Sequence, residues 1–426
     1  MKILIVSQYF WPENFRINDI VSELACLGHE VTVLTGLPNY PEGKVYPEFV
    51  RNPNLFSEYK GMHVIRVPLL PRGQGSLRLV LNYLSFVVSG LVVGSWRLRG
   101  RNIDAIFVFQ TSPITVALPA VWLRRCKRAP MFLWILDLWP GTLTAIGVVK
   151  SRSALAWIDR LVAFIYRRSD RILVQSKTFI PSIEAYAIGP ERIKYFPNWA
   201  EPIFHAPLEE TPLAREMLPY RDTFNVLFAG NIGEAQDFPA ILEAATALRG
   251  RPDIRWLILG DGRAADWVRT EVRKRSLGAS VILLGRHPIE RMPSFFRGAQ
   301  ALLVSLRKDP IFAMTIPGKI QSYLGSGLPI LGMLDGEGAR VITEAGAGLV
   351  CPAGEGGELA KRVEAMADLA PADRAAMGER GRDYCHQHFD RTALMAALAS
   401  WILELIAVDD TRQGGQTLAR HPSPLP

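Results

Sequence analysis

Two lysines pose the first chemical question. Lys308 lies in Ser305-Leu306-Arg307-Lys308-Asp309-Pro310, and Lys319 follows in Ile316-Pro317-Gly318-Lys319-Ile320-Gln321-Ser322-Tyr323-Leu324-Gly325-Ser326-Gly327. Pro317 and Gly318 fit a helix entrance, because proline is tolerated in a first turn, and Gly327 marks the helix end. Both ammonium groups could reach a diphosphate seated on that helix N-terminus. A departing diphosphate gains charge as its bond breaks, so fixed cations help most in the transition state. Two solvated lysines without a common ligand are the competing reading. No Asp-x-Asp occurs in the chain, the carboxylate pair that commonly holds a nucleotide diphosphate through a divalent ion. Lysine, arginine and helix dipoles are therefore expected to do this work, with neither a metal site nor a cofactor.

Two glycine turns precede that segment. Gly230-Asn231-Ile232-Gly233 ends one apolar run and Gly260-Asp261-Gly262 ends the next. Glycine lets backbone approach a phosphate closely, and two such turns in succession at one sheet edge point to an anion. Near the start of the chain, residues 8–19 lead from a strand into a helix. Arg16 and Asn18 are the cleft residues expected there, Arg16 adding charge to a helix start. A surface ion pair is the alternative for Arg16. The loop lacks GxGxxG, which disfavours a dinucleotide oxidoreductase. Asp137 ends the apolar run 131–136, either as a catalytic carboxylate or as the cap of the next turn.

These groups need elements to hold them. Apolar runs at 2–7, 30–35, 63–67, 105–109, 131–135 and 171–175 read as strands in the first half. Runs at 225–229, 255–259, 280–284, 301–305 and 329–332 read as strands in the second. Helix-like segments separate them, which implies parallel sheets covered on both faces. The chain is thus expected to be α/β, with two Rossmann-like doubly wound domains. A proline-rich stretch at 196–219 places the boundary near 200–222. The expected domains are 1–200 and 201–390, then a closing helix at 391–408 and a disordered tail at 409–426.

Composition narrows the classes. The 426 residues are 49% apolar and 21% charged, a folding composition. Cys26, Cys126, Cys351 and Cys385 show no metal-ligand spacing, so a reducing cytoplasm fits. No export signal follows the opening strand. Residues 1–200 hold 24 Lys and Arg against 13 Asp and Glu, whereas residues 201–426 hold 25 against 28. The basic character belongs to the first half and suits an anionic membrane surface or a phosphorylated substrate; nucleic-acid signatures are absent. Residues 77–94 form an apolar stretch shorter than the ~20 residues of a spanning helix, followed by Arg97, Arg99 and Arg101. Core helix, interfacial helix and span are all open readings for it. Residues 153–168 have a similar apolar face with a basic end. Together with the charge, the pair points to peripheral attachment at the inner membrane.

Six segments, in family order over nearly all of residues 1–405, carry a resemblance: WPENFRIND, LxxLGHEVTVLTGLPNYPEGK, DLWP, GNIGEAQDF, LGDG and IPGKIQSYLGSGLPIL. The chain resembles family 4 of the retaining glycosyltransferases, which have the two-Rossmann-domain GT-B fold. It looks most similar to a bacterial branch, typified by fucosaminyl transferases and colanic-acid-type enzymes, that builds O-antigen, capsule and exopolysaccharide. The resemblance implies a cleft between domains, with a UDP-sugar held mostly by the second. Gly230, Asn231, Ile232, Gly233, Gly260, Gly262, Arg286, Lys308 and Lys319 match the donor site, Arg286 bordering the base and Gln321 and Ser322 lying near the ribose. It further implies an N-acetylated hexosamine or 6-deoxyhexosamine donor, a lipid-linked, undecaprenyl-type glycan acceptor, and retention of configuration. The chain departs from the wider family at three places. Met314 and Ser322 stand where two glutamates are usual, Gln236 stands for a lysine, and Asn14-Phe15 replaces a glycine pair. A nucleotide-sugar epimerase of the same architecture and a non-catalytic sugar-binding subunit are the alternatives. Against the first, His29, His63, His205, His287, His386, His388 and His421 do not cluster in the cleft loops.

Overall fold

The chain folds into two units in a computed structural model that describes residues 1–40, 43–73, 76–145, 147, 149 and 151–418. The first unit comprises Met1–Phe196 together with the final helix from Thr392 on, and the second is Pro197–Arg391.

The first unit holds an eight-stranded sheet. Its strands are β1 (Lys2–Val6), β2 (Glu30–Gly36), β3 (Glu58–Tyr59), β4 (Met62–Val67), β5 (Ala105–Gln110), β6 (Met131–Ile135), β7 (Arg171–Val174) and β8 (Ile193–Tyr195). They lie in the order β3-β4-β2-β1-β5-β6-β7-β8, all parallel except the β3–β4 hairpin. The principal helices are α1 (Arg16–Cys26), α2 (Ser76–Ser89), α3 (Ala117–Lys127) and α4 (Arg152–Arg168). Ile3, Leu4, Ile5 and Val6 are all fully buried, as expected of a parallel strand covered on both faces. The apolar stretch anticipated at 77–94 is α2 followed by one π-helical turn, Gly90–Gly94, and a last turn, Ser95–Arg97. Gly90 and Gly94 pass so close to Pro119 and Leu34 that a Cβ at either would crowd them.

The second unit holds β9 (Phe224–Ala229), β10 (Ile254–Leu259), β11 (Val281–Gly285), β12 (Ala301–Ser305), β13 (Ile330–Met333) and β14 (Gly348–Cys351), in the parallel order β11-β10-β9-β12-β13-β14. This is the doubly wound order, in which the chain reverses direction across the sheet between β9 and β12. Strand residues feed two cores alternately. Val226, Phe228, Trp256 and Leu303 face one core with α5 (Phe238–Ala247), α6 (Ala265–Lys274) and, later in the chain, Gly356–Asp368. Leu227, Leu257, Leu302 and Val304 face the other, with α7 (Gly318–Ser326) and the segment ending in Cys385 and Phe389.

Two domain expectations change. The division falls between Phe196 and Pro197, because the proline-rich stretch packs instead of linking: Phe204, Leu208, Ala214 and Met217 lie in the second unit's core. The final helix, α8 (Arg391–Leu418), continues through part of the expected tail; residues 419–426 lie outside the described residues. Met395, Leu398 and Ile402 are buried, and Trp401 meets Phe196 edge-on at 6.2 Å, so this helix completes the first unit.

Candidate functional site

The second sheet assembles its site where the strand order reverses, at the carboxyl ends of β9 and β12, where ligands bind in this architecture. Gly230 leaves β9 and its N–H is received by Leu259 O at 2.9 Å; Ile232 N donates to Asp261 O at 2.9 Å. The two glycine turns are thus laced together. A side chain at Gly260 would collide with Gly230 O, and one at Gly262 with Ile232 O, both positions having φ near +140° to +160°. Gln236 braces the first turn, its Oε1 accepting from Gly233 N at 3.1 Å and from Asn231 Nδ2 at 3.4 Å. The end of β12 closes the floor, where Ser305 Oγ donates to Gln236 O and Arg307 N to Ala235 O.

Lys319, in the first turn of α7, points into this floor. Its Nζ lies 3.8 Å from the Phe228 ring centroid, and a Cβ on Gly230 would meet it at 3.0 Å. The ammonium is out of solvent's reach and has no hydrogen-bond partner among the described residues. Burial pushes its pKa down to about 7. A cation held without water or carboxylate beside free helix N–H groups and glycine backbone is arranged to receive an anion. One turn further on, Ser322 Oγ donates to Glu201 Oε2 at 2.6 Å, and Gln321 is fully buried with its amide facing the carbonyls of Pro317 and Gly318.

The first unit gathers ionisable groups at its own reversal point, between β1 and β5. Glu13 ties two loops together, accepting from Phe10 N at 3.1 Å and from Asn39 N and Tyr40 N at 2.7 Å each. Burial raises its pKa to about 6 despite those bonds. Arg66 binds the carbonyls of Phe56, Gly36 and Trp11. Asn18 caps the same loop, receiving Trp11 N at 3.0 Å and donating to Glu13 O at 2.7 Å. Arg16 pairs with Asp19 at 3.9 Å. Asp137, just past β6, has its pKa raised to about 7 by burial. Tyr83 of α2 faces it electrostatically and bonds Ser112. Tyr9 Oη, Gln110 Oε1 and Trp139 Nε1, all at this sheet edge, are buried without hydrogen-bond partners among the described residues.

Residues 14–199 match the family described as glycosyl transferase 4-like domain, and residues 223–368 match glycosyl transferases group 1. Together these matches take in most of both sheets, including the glycine turns and Lys319. The chain is a GT-B glycosyltransferase. The transferase is 25% identical over 284 residues to a Pseudomonas aeruginosa protein named as the glycosyltransferase WbjE, covering 65% of this chain and 69% of that one. It is 25% identical over 342 residues to an Escherichia coli (strain K12) protein named as a colanic acid biosynthesis glycosyl transferase, WcaI, covering 77% and 82%. Among solved structures, HepE of Anabaena in complex with UDP superposes with a TM-score of 0.68 at 13% identity, covering 95% of this chain and all of that one. WaaG, a glycosyltransferase involved in lipopolysaccharide biosynthesis, superposes with a TM-score of 0.64 at 16% identity, covering 94% and 99%.

Within the transferase, the residues singled out in the sequence, apart from Arg16 and Asp137 of the first unit, separate into three groups. Gly230, Asn231, Ile232, Gly233, Gly260, Gly262 and Lys319 come together around one floor. Lys308 and Arg286 are exposed, on the loops after β12 and β11, strands that β9 and β10 separate in the sheet. Asn18, Gln321 and Ser322 spend their polar groups on protein partners, as described above. Sequence reading did not single out Glu13, Glu201 or Tyr83. Glu13 sits inside the WPENFRIND segment, but its burial is made by another loop, through Asn39 N and Tyr40 N; Glu201 and Tyr83 are likewise distant in sequence from the groups they meet.

Proposed function

We propose that this transferase moves a sugar from a UDP-sugar to a lipid-linked oligosaccharide, of undecaprenyl type, in the biosynthesis of O-antigen, capsule or exopolysaccharide. The donor sugar is an N-acetylated hexosamine or 6-deoxyhexosamine, as the branch resemblance implies, and transfer retains configuration. The chain works in the cytoplasm, peripherally attached to the inner membrane. Support for the pathway comes from relatives named for colanic acid and lipopolysaccharide synthesis, and for the nucleotide from the UDP bound by HepE.

The observation that carries the reading is Lys319: a buried, unpartnered ammonium aimed at Gly230 between a helix start and a glycine turn. A diphosphate there would neutralise it and accept N–H groups from the first turn of α7. As the glycosidic bond breaks, charge grows on the leaving oxygen, and the preorganised cation stabilises it without a metal ion. The absence of Asp-x-Asp from the sequence favours the same route. Asp137, uncharged at half occupancy near neutral pH, is the carboxyl group available to orient or deprotonate an acceptor hydroxyl.

Calorimetry with UDP in the presence of EDTA, followed by transfer of radiolabelled sugar to lipid extracts, tests this. Binding that survives EDTA and label in the lipid fraction are expected. UDP binding with no transfer to any extract would favour a non-catalytic sugar-binding subunit. Conversion of the UDP-sugar to its epimer would favour an epimerase.

A further inference from the structure

An apolar surface on the first unit takes no part in the chemistry above. The crossovers from β4 to β5, β5 to β6 and β6 to β7 all step the same way across the sheet, so α2, α3 and α4 cover one face of it and pack side by side. Their outer sides are not polar. Leu84, Val88 and Val92 are exposed along α2 and its π turn. Trp96, Trp122 and Trp157, one from each helical stretch, are 66%, 49% and 70% exposed. These are three of the four exposed tryptophans among the described residues, collected on one face. Tryptophan in such a place suits a bilayer's headgroup region, where an amphipathic ring has both an apolar and a wet side.

The charge on this face agrees. Arg97 and Arg99 follow the π turn, and α4 ends in Arg167 and Arg168. A groove of about 580 Å³ opens along α4, lined by Arg160, Phe164, Arg167, Arg168, Asp159 and Tyr186, with Ala163 and Ala185. Three guanidinium groups face one carboxylate, and that carboxylate already receives the Tyr186 hydroxyl at 2.6 Å. Arg160 lies over Trp157 at 5.5 Å and Arg168 over Phe164 at 5.0 Å. Cation and ring are therefore presented together, the pairing that a phosphate headgroup with an acyl chain beneath it requires.

By length and composition Arg78–Arg97 could cross a membrane. Its inner side forbids it. Asn82 is fully buried, taking Gln8 Nε2 at 2.7 Å and donating to Leu70 O at 2.6 Å; Phe86 is fully buried, Gly90 packs on Pro119 of α3 and Gly94 on Leu34 of β2. Spanning would strip that side from the core, so only the outer side is free to enter lipid.

We propose that the α2–α3–α4 face is the membrane-docking surface of this chain, lying flat on an anionic bilayer with a lipid phosphate seated in the α4 groove. It deepens the reading of a membrane-borne acceptor, but its test does not depend on transfer. The full-length protein is sedimented with vesicles of phosphatidylcholine alone and of phosphatidylcholine mixed with phosphatidylglycerol. Binding should be at least about tenfold stronger to the mixed vesicles and should fall steeply with salt. The variant Arg160→Glu/Arg167→Glu/Arg168→Glu should lose roughly tenfold or more of that binding. Trp96→Ala/Trp157→Ala should weaken it with circular dichroism unchanged. Equal binding to both vesicles, none to either, or unaltered binding by the arginine variant would overturn the proposal. So would suppression by inorganic phosphate alone, which marks a free-anion site, or retention in molar salt with release only by detergent, which marks insertion. Failure of the wild type to bind UDP would sink the proposed UDP-sugar donor and leave the vesicle result standing.

Discussion

Lys319 keeps an ammonium where water cannot reach it, with an aromatic ring below and a glycine in front. Burial favours the neutral amine, so above pH 7 the free protein holds it largely unprotonated and a bound diphosphate must bring a proton with it. UDP affinity measured by calorimetry should accordingly fall as pH rises above 7, where the terminal phosphate is already ionised. Lys319→Ala should flatten that slope and lower the transfer rate by ~2–4 kcal/mol of activation energy, while the urea midpoint holds or rises. An unchanged rate would remove Lys319 from the leaving-group site. Asp137 has the opposite linkage. Its carboxyl pKa is raised from 3.8 to about 7, so the stability it contributes is complete in acid and lost as pH rises through 7. Asp137→Asn should therefore be more stable than the parent in alkali and lose that advantage in acid; parallel pH–stability curves would show that the carboxyl is solvated after all.

At the scale of elements, the site depends on turns more than on helices. At Gly260 and Gly262 the laced turns leave no room for a methyl group, and both positions carry a positive φ that other residues resist. Gly260→Ala should destabilise the second unit by more than about 1 kcal/mol in urea unfolding and abolish UDP binding, because the first turn must move to admit it. UDP binding at parental strength would mean that the turns are looser than the structure has them. Gln236, which stands where the resemblance implies a lysine, braces the 230–233 turn instead, its amide oxygen accepting from Gly233 N and Asn231 Nδ2. All eleven strands expected from apolar runs are present. Of the ones not foreseen, β3 and β8 are two and three residues long, too short for alternation or a continuous run to register, and β14, Gly-Leu-Val-Cys, opens on a glycine that interrupts its apolar run.

For the whole molecule, the chain's last helix belongs to the unit formed by its beginning. α8 buries Met395, Leu398 and Ile402, and Trp401 meets Phe196 at the very end of the first unit's own segment. Ending the chain at Arg391 should therefore destabilise the first unit, which lies farthest away in sequence, while the second keeps its core. Limited proteolysis is the measurement: fragments should arise within residues 1–196 first. Preferential cleavage of 197–391 would reverse the assignment. The charge asymmetry has its place at this scale as well, since the excess of cations in residues 1–200 falls on the unit that exposes the tryptophan-bearing helices.

The order of apolar runs was enough to establish two parallel α/β units, because burial on both faces demands continuous hydrophobic strands whatever surrounds them. The glycine turns and Lys319 were legible for a similar reason: each is fixed by its position just past a strand or at a helix start. Tertiary structure alone decided what lies between elements distant in sequence. It brought Glu201 to Ser322, Tyr83 to Asp137, and the helix after Arg391 back to Phe196. It also decided which lysine is buried and which exposed, since Lys308 and Lys319 are alike in sequence and differ only in what packs around them. Desolvation, which separates those two, is a property of neighbours that spacing along a chain does not encode.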